Sequence, residues 1–144
     1  MSVFGSGRTV ADVAVDMTVE CMDDRGVRHQ LDVVLGYRRT DPYAVTMTFL
    51  TGAGDLTWTF GRDLLVQGIN LPTGQGDVHV APSIGSNGRS VVHIELTSPD
   101  GHLVLQAKAE DVNEFLARAD SVVPVGEEHL QVDVDVLIAQ LLSA

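Results

Sequence analysis

The chain has little of what most readily declares a chemistry. Among its 144 residues cysteine occurs once, at Cys21. No internal disulfide can form, and no thiolate zinc site can be built within one chain, so a reducing interior is the compartment that suits it. Lysine also occurs once, at Lys108, and arginine brings the cations to only nine against twenty Asp and Glu, for a formal net charge of −11. The imbalance deepens along the chain. Residues 1–72 hold six basic and nine acidic groups, residues 73–144 three and eleven. Nucleic acid and anionic lipid are both bound mainly through Lys and Arg, so neither is an expected partner. Aromatic residues are 5% of the total. No run approaches the ~18 apolar residues of a spanning helix. The start, Met1-Ser2-Val3-Phe4-Gly5-Ser6-Gly7-Arg8, lacks the apolar core of a signal peptide. These absences describe an acidic, soluble, cytoplasmic protein.

What is present suits one ordinary domain. Hydrophobic residues make up 44% and charged residues 20%. A chain of this length buries roughly 68–70% of its unfolded surface and needs no staple. Residues 1–12 read as a flexible segment and 13–144 as the domain. Val13, Val15, Met17, Val19 and Cys21 alternate with polar or small residues, the period of a half-buried strand. The turn Asp23-Asp24-Arg25-Gly26 leads to a second alternation, Leu31, Val33, Leu35, Tyr37. Beyond Arg39-Thr40-Asp41-Pro42, the residues Tyr43, Val45, Met47 and Phe49 repeat it, followed after Thr51–Asp55 by Leu56, Trp58 and Phe60. Four strands in an antiparallel meander are expected.

Gly61–Gly68 breaks that period and suits two helical turns ended by Gly68 at the C′ position. Leu71-Pro72-Thr73-Gly74-Gln75-Gly76 reads as a rigid loop. Three strands follow, around Val78/Val80, Val92/Ile94/Leu96 and Leu103/Leu105/Ala107, with Asn87-Gly88 and Ser98-Pro99-Asp100-Gly101 between them. Asp111 with Glu114 resembles a capping box, and Val112, Phe115, Leu116 and Ala119 form one helical stripe that Val123-Pro124-Val125-Gly126 stops. A last stripe, Val134, Leu137, Ile138, Leu141 and Leu142, has Asp133 as its N-cap. The fold class is α+β, a curved antiparallel sheet of about seven strands with a short mid-chain helix and two C-terminal helices.

Catalytic patterns do not emerge. Gly74-x-Gly76 has His79 where a dinucleotide fingerprint needs its third glycine, and it precedes a strand rather than a helix. The five histidines, His29, His79, His93, His102 and His129, show no metalloenzyme spacing. His79 and His93 fall on the outer faces of their strands; if those strands pair, the two rings could meet and hold a metal, although surface histidines are the simpler reading. Cys21 lies on an apolar strand face, as an inert core thiol would. Glu127, Glu128, Asp133 and Asp135 cluster before the last helix, where solvation or capping explains them. Trp58 is in phase with Leu56 and Phe60, so core packing precedes base stacking as its role. No cofactor is expected. Two features suit partner contact instead. Pro72, Gly74 and Gly76 sit in a loop that a rigid scaffold would display, though a purely turn-shaping role comes first. Leu137 and Leu141 sit on the terminal stripe, which either packs on the sheet or docks on another subunit or a partner groove.

From Asp41-Pro42-Tyr43-Ala44-Val45 onward the sequence resembles the SsgA-like proteins, which act in sporulation and cell division of filamentous actinobacteria. The likeness is carried by Trp58-Thr59-Phe60-Gly61-Arg62-Asp63-Leu64-Leu65, by Gly68, Pro72, Gly74 and Gly76, and by Asp77-Val78-His79-Val80 and Pro82. It resumes at Phe115-Leu116, Val123-Pro124 and Gly126-x-Glu128-His129, and covers about residues 28–142. Residues 1–12 look longer than the family's usual start. The resemblance implies a non-enzymatic regulator at division septa that marks division sites and recruits and tethers the tubulin-like FtsZ with an SsgA-type paralogue. It also implies a trimer, and a sheet similar in shape to the Whirly-type single-strand nucleic-acid-binding proteins. That similarity supplies the rival, a single-stranded nucleic-acid-binding module, which would need basic residues gathered on one sheet face.

Overall fold

The computed structural model describes residues 11–23, 25–132 and 134–143, with backbone alone for Val134 and Asp135. Of the expected N-terminal segment 1–12, residues 1–10 lie outside that range, as do Asp24 of the first turn and Asp133, the expected N-cap. Strands β1 (Val13–Met22), β2 (Arg28–Arg38), β3 (Asp41–Thr51) and β4 (Gly54–Gly61) form the expected meander. After α1 (Arg62–Gly68) come β5 (Thr73–Gln75), β6 (Val78–Ile84), β7 (Ser90–Ser98) and β8 (Gly101–Lys108), a second meander. Helix α2 (Ala109–Val122), a 3₁₀ turn (Glu128–Gln131) and α3 (Val134–Leu142) complete the chain. All eight strands make one antiparallel sheet in the order β4-β3-β2-β1-β8-β7-β6-β5.

The two meanders join at β1 and β8 through only two register pairs, Glu20↔Gln106 and Cys21↔Leu105. Within each meander the register puts the apolar alternation on one face. Val15 lies opposite Leu35, Leu35 opposite Met47, and Met47 opposite Trp58. In the second half Val80 meets Ile94 and Ile94 meets Leu105. A one-residue slip would turn each row to solvent, so the core itself fixes the register. Leu64 and Leu65 of α1, with Val112, Phe115 and Ala119 of α2, close onto these rows and are buried with them. Both helices leave the sheet at equivalent ends, α1 after the last residue of β4 and α2 after the last of β8.

The structure departs from the sequence reading in four places. The segment expected to be a loop contains β5, the eighth strand, in which Thr73, Gly74 and Gln75 pair with Val80, His79 and Val78. Its two glycines hide the strand, since glycine weakens strand propensity. Gly76, at φ 61°, makes the turn that pairs it. Helix α2 starts at Ala109, directly from β8, with Lys108 at the N-cap and no side-chain cap. Asp111 is therefore not a cap; with Glu110 it places acid in the first turn, where the helix dipole favours it. Gly68 is the last helical residue rather than a left-handed terminator, and Ile69 caps the helix in right-handed geometry. Its role is close approach, because a Cβ there would collide with the Val80 side chain on β6. Finally, α3 does not bury its stripe. Leu137, Ile138, Leu141 and Leu142 remain 47%, 47%, 68% and 82% exposed.

Replacing Gly68 by Ala should cost about 1–3 kcal/mol through overpacking against Val80. Gly52→Ala, where a Cβ meets nothing, is the control. Urea denaturation midpoints should fall for the first variant and stay near wild type for the second.

Candidate partner-binding surfaces

A buried ion pair decides where the C-terminal segment lies. Arg62, the first residue of α1, is three positions before the fully buried Leu65, so helical spacing turns it inward. Its side chain is 1% exposed, that of Glu128 7%, and Nη2 stands 2.7 Å from Oε2. That contact is close but off the N–H axis, and Arg62 Nε has no hydrogen-bond partner. The other guanidinium nitrogen, Nη1, donates to the Val123 carbonyl at 2.7 Å. This carbonyl lies at the end of α2, whose last turn carries no basic residue of its own. Arg62 thus supplies from another element the positive charge that a helix C-terminus favours. The guanidinium also lies over the Tyr37 ring, 4.9 Å from its centre. The Tyr37 hydroxyl in turn donates to the Pro42 carbonyl at 2.9 Å. Glu128 Oε1 accepts the Gly126 N–H at 2.8 Å. Burial pushes the Glu128 carboxyl up, but Arg62 and the backbone N–H donors outweigh it and hold the group below its ordinary value. The expectation that Glu128 is a solvated or capping carboxylate is therefore corrected. Helical spacing to Leu65 could have turned Arg62 inward, whereas Glu128 is marked only within the Gly126-x-Glu128-His129 motif of the family resemblance.

This anchor delivers α3 to the surface with Leu137 and Leu141 exposed. Pro72 is exposed just before β5, an edge strand of the sheet. Gly74 faces His79 across the ladder, and a Cβ there would run into the ring. Gly76 turns the chain in the left-handed region. Both glycines therefore have a shaping role, on an edge that is also displayed.

Leu56, Trp58 and Phe60 share a face, yet Phe60 is buried, Trp58 half-buried and Leu56 64% exposed. The helices cover the end of the sheet where β4 and β8 finish. At the other end, by the β3–β4 and β7–β8 turns, an apolar cleft of about 370 Å³ stays open between the two meanders. Leu31, Phe49, Leu56, Trp58, Leu96 and Leu103 line it, with Asp32 and His102 at hand. Sequence periodicity identified these as inward-facing but could not show that the described residues leave them open.

The histidines do not meet as a pair. Opposite His79 stands Glu95, with Nδ1 3.9 Å from Oε1, while the other carboxylate oxygen contacts His102. His93 Nε2 lies 3.2 Å from Gln106 Oε1. The His102 contact first, then the charges of His102 and His79, lower Glu95 against its slight desolvation. Among the described residues no three His, Cys, Asp or Glu converge on a metal-binding geometry. Burial first, and then Asp23, pushes the Cys21 thiol up, so it stays protonated near neutrality.

Among the described residues, several cations are taken up by carboxylates. Arg62 is interior, Arg28 pairs with Glu20 at 3.9 Å, and Arg118 pairs with Glu114 at 3.8 Å. Arg89 and Lys108 line one cleft of about 570 Å³, but Glu20 and Glu110 line it too. No helix among the described residues is long and apolar enough to cross a membrane.

This curled sheet, closed at one end by helices, matches proteins of one class. Residues 31–128 match the family model described as Streptomyces sporulation and cell division protein, SsgA. The chain belongs to this family. It is 42% identical over 133 residues to the sporulation-specific cell division protein SsgB of Kineococcus radiotolerans, covering 92% of this chain and 81% of that one. To SsgB of Streptomyces coelicolor it is 47% identical over 110 residues, 76% and 80% of the two chains. Among solved structures, SsgB from work on longitudinal cell division during sporulation of Streptomyces coelicolor superposes with a TM-score of 0.75 at 40% identity, over 85% of this chain and 96% of that one. An SsgA-like sporulation-specific cell division protein from Thermobifida fusca superposes with a TM-score of 0.80 at 32% identity, over 89% and 93%.

Removing one partner of the buried pair should cost about 3–5 kcal/mol. Arg62→Met should fall in that range by chemical denaturation at pH 7. Because the folded Glu128 value is depressed, its contribution is complete above the ordinary glutamate value of about 4.3 and is lost as pH falls through the folded value. Glu128→Gln should therefore be less stable at pH 7, and its stability should change less than wild type's as pH drops from about 5 to 3.

Proposed function

We propose that this protein is a non-enzymatic division-site adaptor, a homo-oligomer, a trimer by family resemblance, that works in the cytoplasm at division septa. It marks the site and recruits and tethers FtsZ together with an SsgA-type paralogue. Membership of the SsgA family, with relatives named sporulation-specific cell division proteins, supports the cell-division part. The observation that carries the adaptor reading is the α3 helix. Its leucines are held out on an anchored segment instead of being folded into the core. At a net charge of −11, partner contacts of this protein rest on apolar and backbone groups more than on charge attraction. Leu137 and Leu141 supply the first, and the β5 edge with Pro72, Gly74 and Gly76 supplies the second.

Co-sedimentation with FtsZ polymers tests the reading. The protein should pellet with the polymers, alone or with its paralogue, and should change filament assembly. Absence of both effects in both settings contradicts it. For the β5 edge, Gly74→Val in a His79→Ala background removes the ring that a new side chain would strike. That variant should keep wild-type circular dichroism and lose most co-sedimentation; retained co-sedimentation leaves Gly74 a shaping role only. The same preparations should give no salt-dependent mobility shift with single-stranded DNA.

A further inference from the structure

We infer that an extended, basic segment of a partner protein adds to the open edge of β4 and drops its large apolar side chains into the cleft beside that strand. The contact adds a partner to those proposed above and does not depend on them. Two independent features of one strand point to it.

The first is the edge itself. β4 is the outermost strand of the first meander, and among the described residues no strand pairs with its outer side. Natural edges are blunted by shortness, by lysine or proline, or by a bulge. β5, the opposite edge, is three residues long. β4 has eight, Gly54-Asp55-Leu56-Thr57-Trp58-Thr59-Phe60-Gly61, with neither lysine nor proline. Its register against β3 runs unbroken from Thr51↔Gly54 to Ala44↔Gly61. Arg62, which follows it, is turned into the interior, so its charge does not guard the edge. An edge of this kind is a template for one more strand, whose backbone supplies hydrogen bonds while alternate side chains take pockets.

The second is the pocket on the same strand. Leu56 and Trp58 line the cleft with Phe49 of the neighbouring strand, and a strand laid on β4 would send every second side chain to that face. The volume of about 370 Å³ is near the small end of ligand pockets, ~300–1,000 Å³, and suits one or two side chains rather than a helix. Charge then selects the occupant. Asp32 lines the cleft, Asp55 adjoins the lining residue Leu56, and Asp100 adjoins the lining residue Gly101. No lysine or arginine lines it, and His102 is in contact with Glu95. Among the described residues none of the three aspartates is in an ion pair. Asp32, Leu50 and Asp55 stand in one cross-strand row, and Asp55 alternates with Leu56 and so points to the other face. A segment in which Phe or Leu alternates with Lys matches both faces, apolar groups toward Leu56 and Trp58 and cations toward Asp55.

Trp58 is the only tryptophan, so its emission reports the cleft directly. The probes are the peptide acetyl-Lys-Phe-Lys-Leu-Lys-amide, its Glu-for-Lys counterpart, and a copy of the basic peptide N-methylated at every residue. The basic peptide should shift Trp58 emission to shorter wavelength and saturate, with weaker binding as salt rises from about 50 to 500 mM. The acidic and the methylated peptides should each bind at least about tenfold more weakly. Asp55→Lys, at an exposed position and checked by circular dichroism, should weaken the basic peptide about fivefold or more. No saturable shift up to about 1 mM basic peptide overturns the inference. So does equal affinity for the acidic or the methylated copy, or wild-type affinity in folded Asp55→Lys. Emission that shifts on dilution of the protein alone, with no response to peptide, assigns the cleft to a second copy and overturns it as well.

Discussion

The guanidinium of Arg62 and the carboxylate of Glu128 meet inside the protein, and three otherwise separate pieces depend on that meeting. Arg62 begins the helix that leaves β4. The Val123 carbonyl to which it donates marks the end of α2. Glu128 begins the 3₁₀ turn that leads to α3. Taking two charges out of water costs several kcal/mol each unless geometry and further hydrogen bonds compensate. Here Gly126, Val123 and the Tyr37 ring provide that compensation. An apolar pair would hold the segment nearby in many ways. A charge pair with these fixed partners holds it in one.

A second constraint follows from topology. Both helices that cover the sheet spring from its equivalent ends, the ends of β4 and β8, so the opposite end is left to the hairpin turns. Period-2 alternation nevertheless runs the full length of the strands. Leu56, Trp58 and Leu103 are thus written as core residues in a place that α1 and α2 do not reach. The open cleft is a consequence of strand length exceeding helix cover. It stands at the far end of β4 from the Arg62–Glu128 anchor, which separates it from the place where the terminal helix is held.

Much of this was legible in the sequence, and the misses share a cause. Alternation in β1 to β4 and β6 to β8 survived because each strand buries one face, which period 2 reports directly. The stripe of α2 was equally plain at Val112, Phe115 and Ala119. β5 escaped because its stability comes from a partner strand, with Gly74 and Gly76 disguising it as a loop. Gly68 was given a backbone role when its role is proximity to Val80. Both depend on residues distant in sequence, as does Glu128, whose neighbours Glu127 and His129 suggest only a solvated turn. The leucines of α3 were visible as a stripe, but whether a stripe is covered is a question about the whole molecule.

Charge sharpens the reading of the surface. Arg62 is spent in the interior and Arg28 and Arg118 on carboxylates, so three of the nine cations are already paired. What the surface does offer is an edge strand, an open apolar cleft and an anchored apolar helix. The central claim is that the segment is pinned at Glu128 and that Leu137, Ile138, Leu141 and Leu142 stay exposed until another molecule covers them. Hydrogen exchange measured over a dilution series tests this most directly. Amides of 126–131 should be protected at every concentration, while those of 137–142 should exchange quickly in dilute protein and slow as the protein assembles. Protection of 137–142 that is strong and unchanged on dilution to monomer would contradict it, because the helix would then be covered by its own chain.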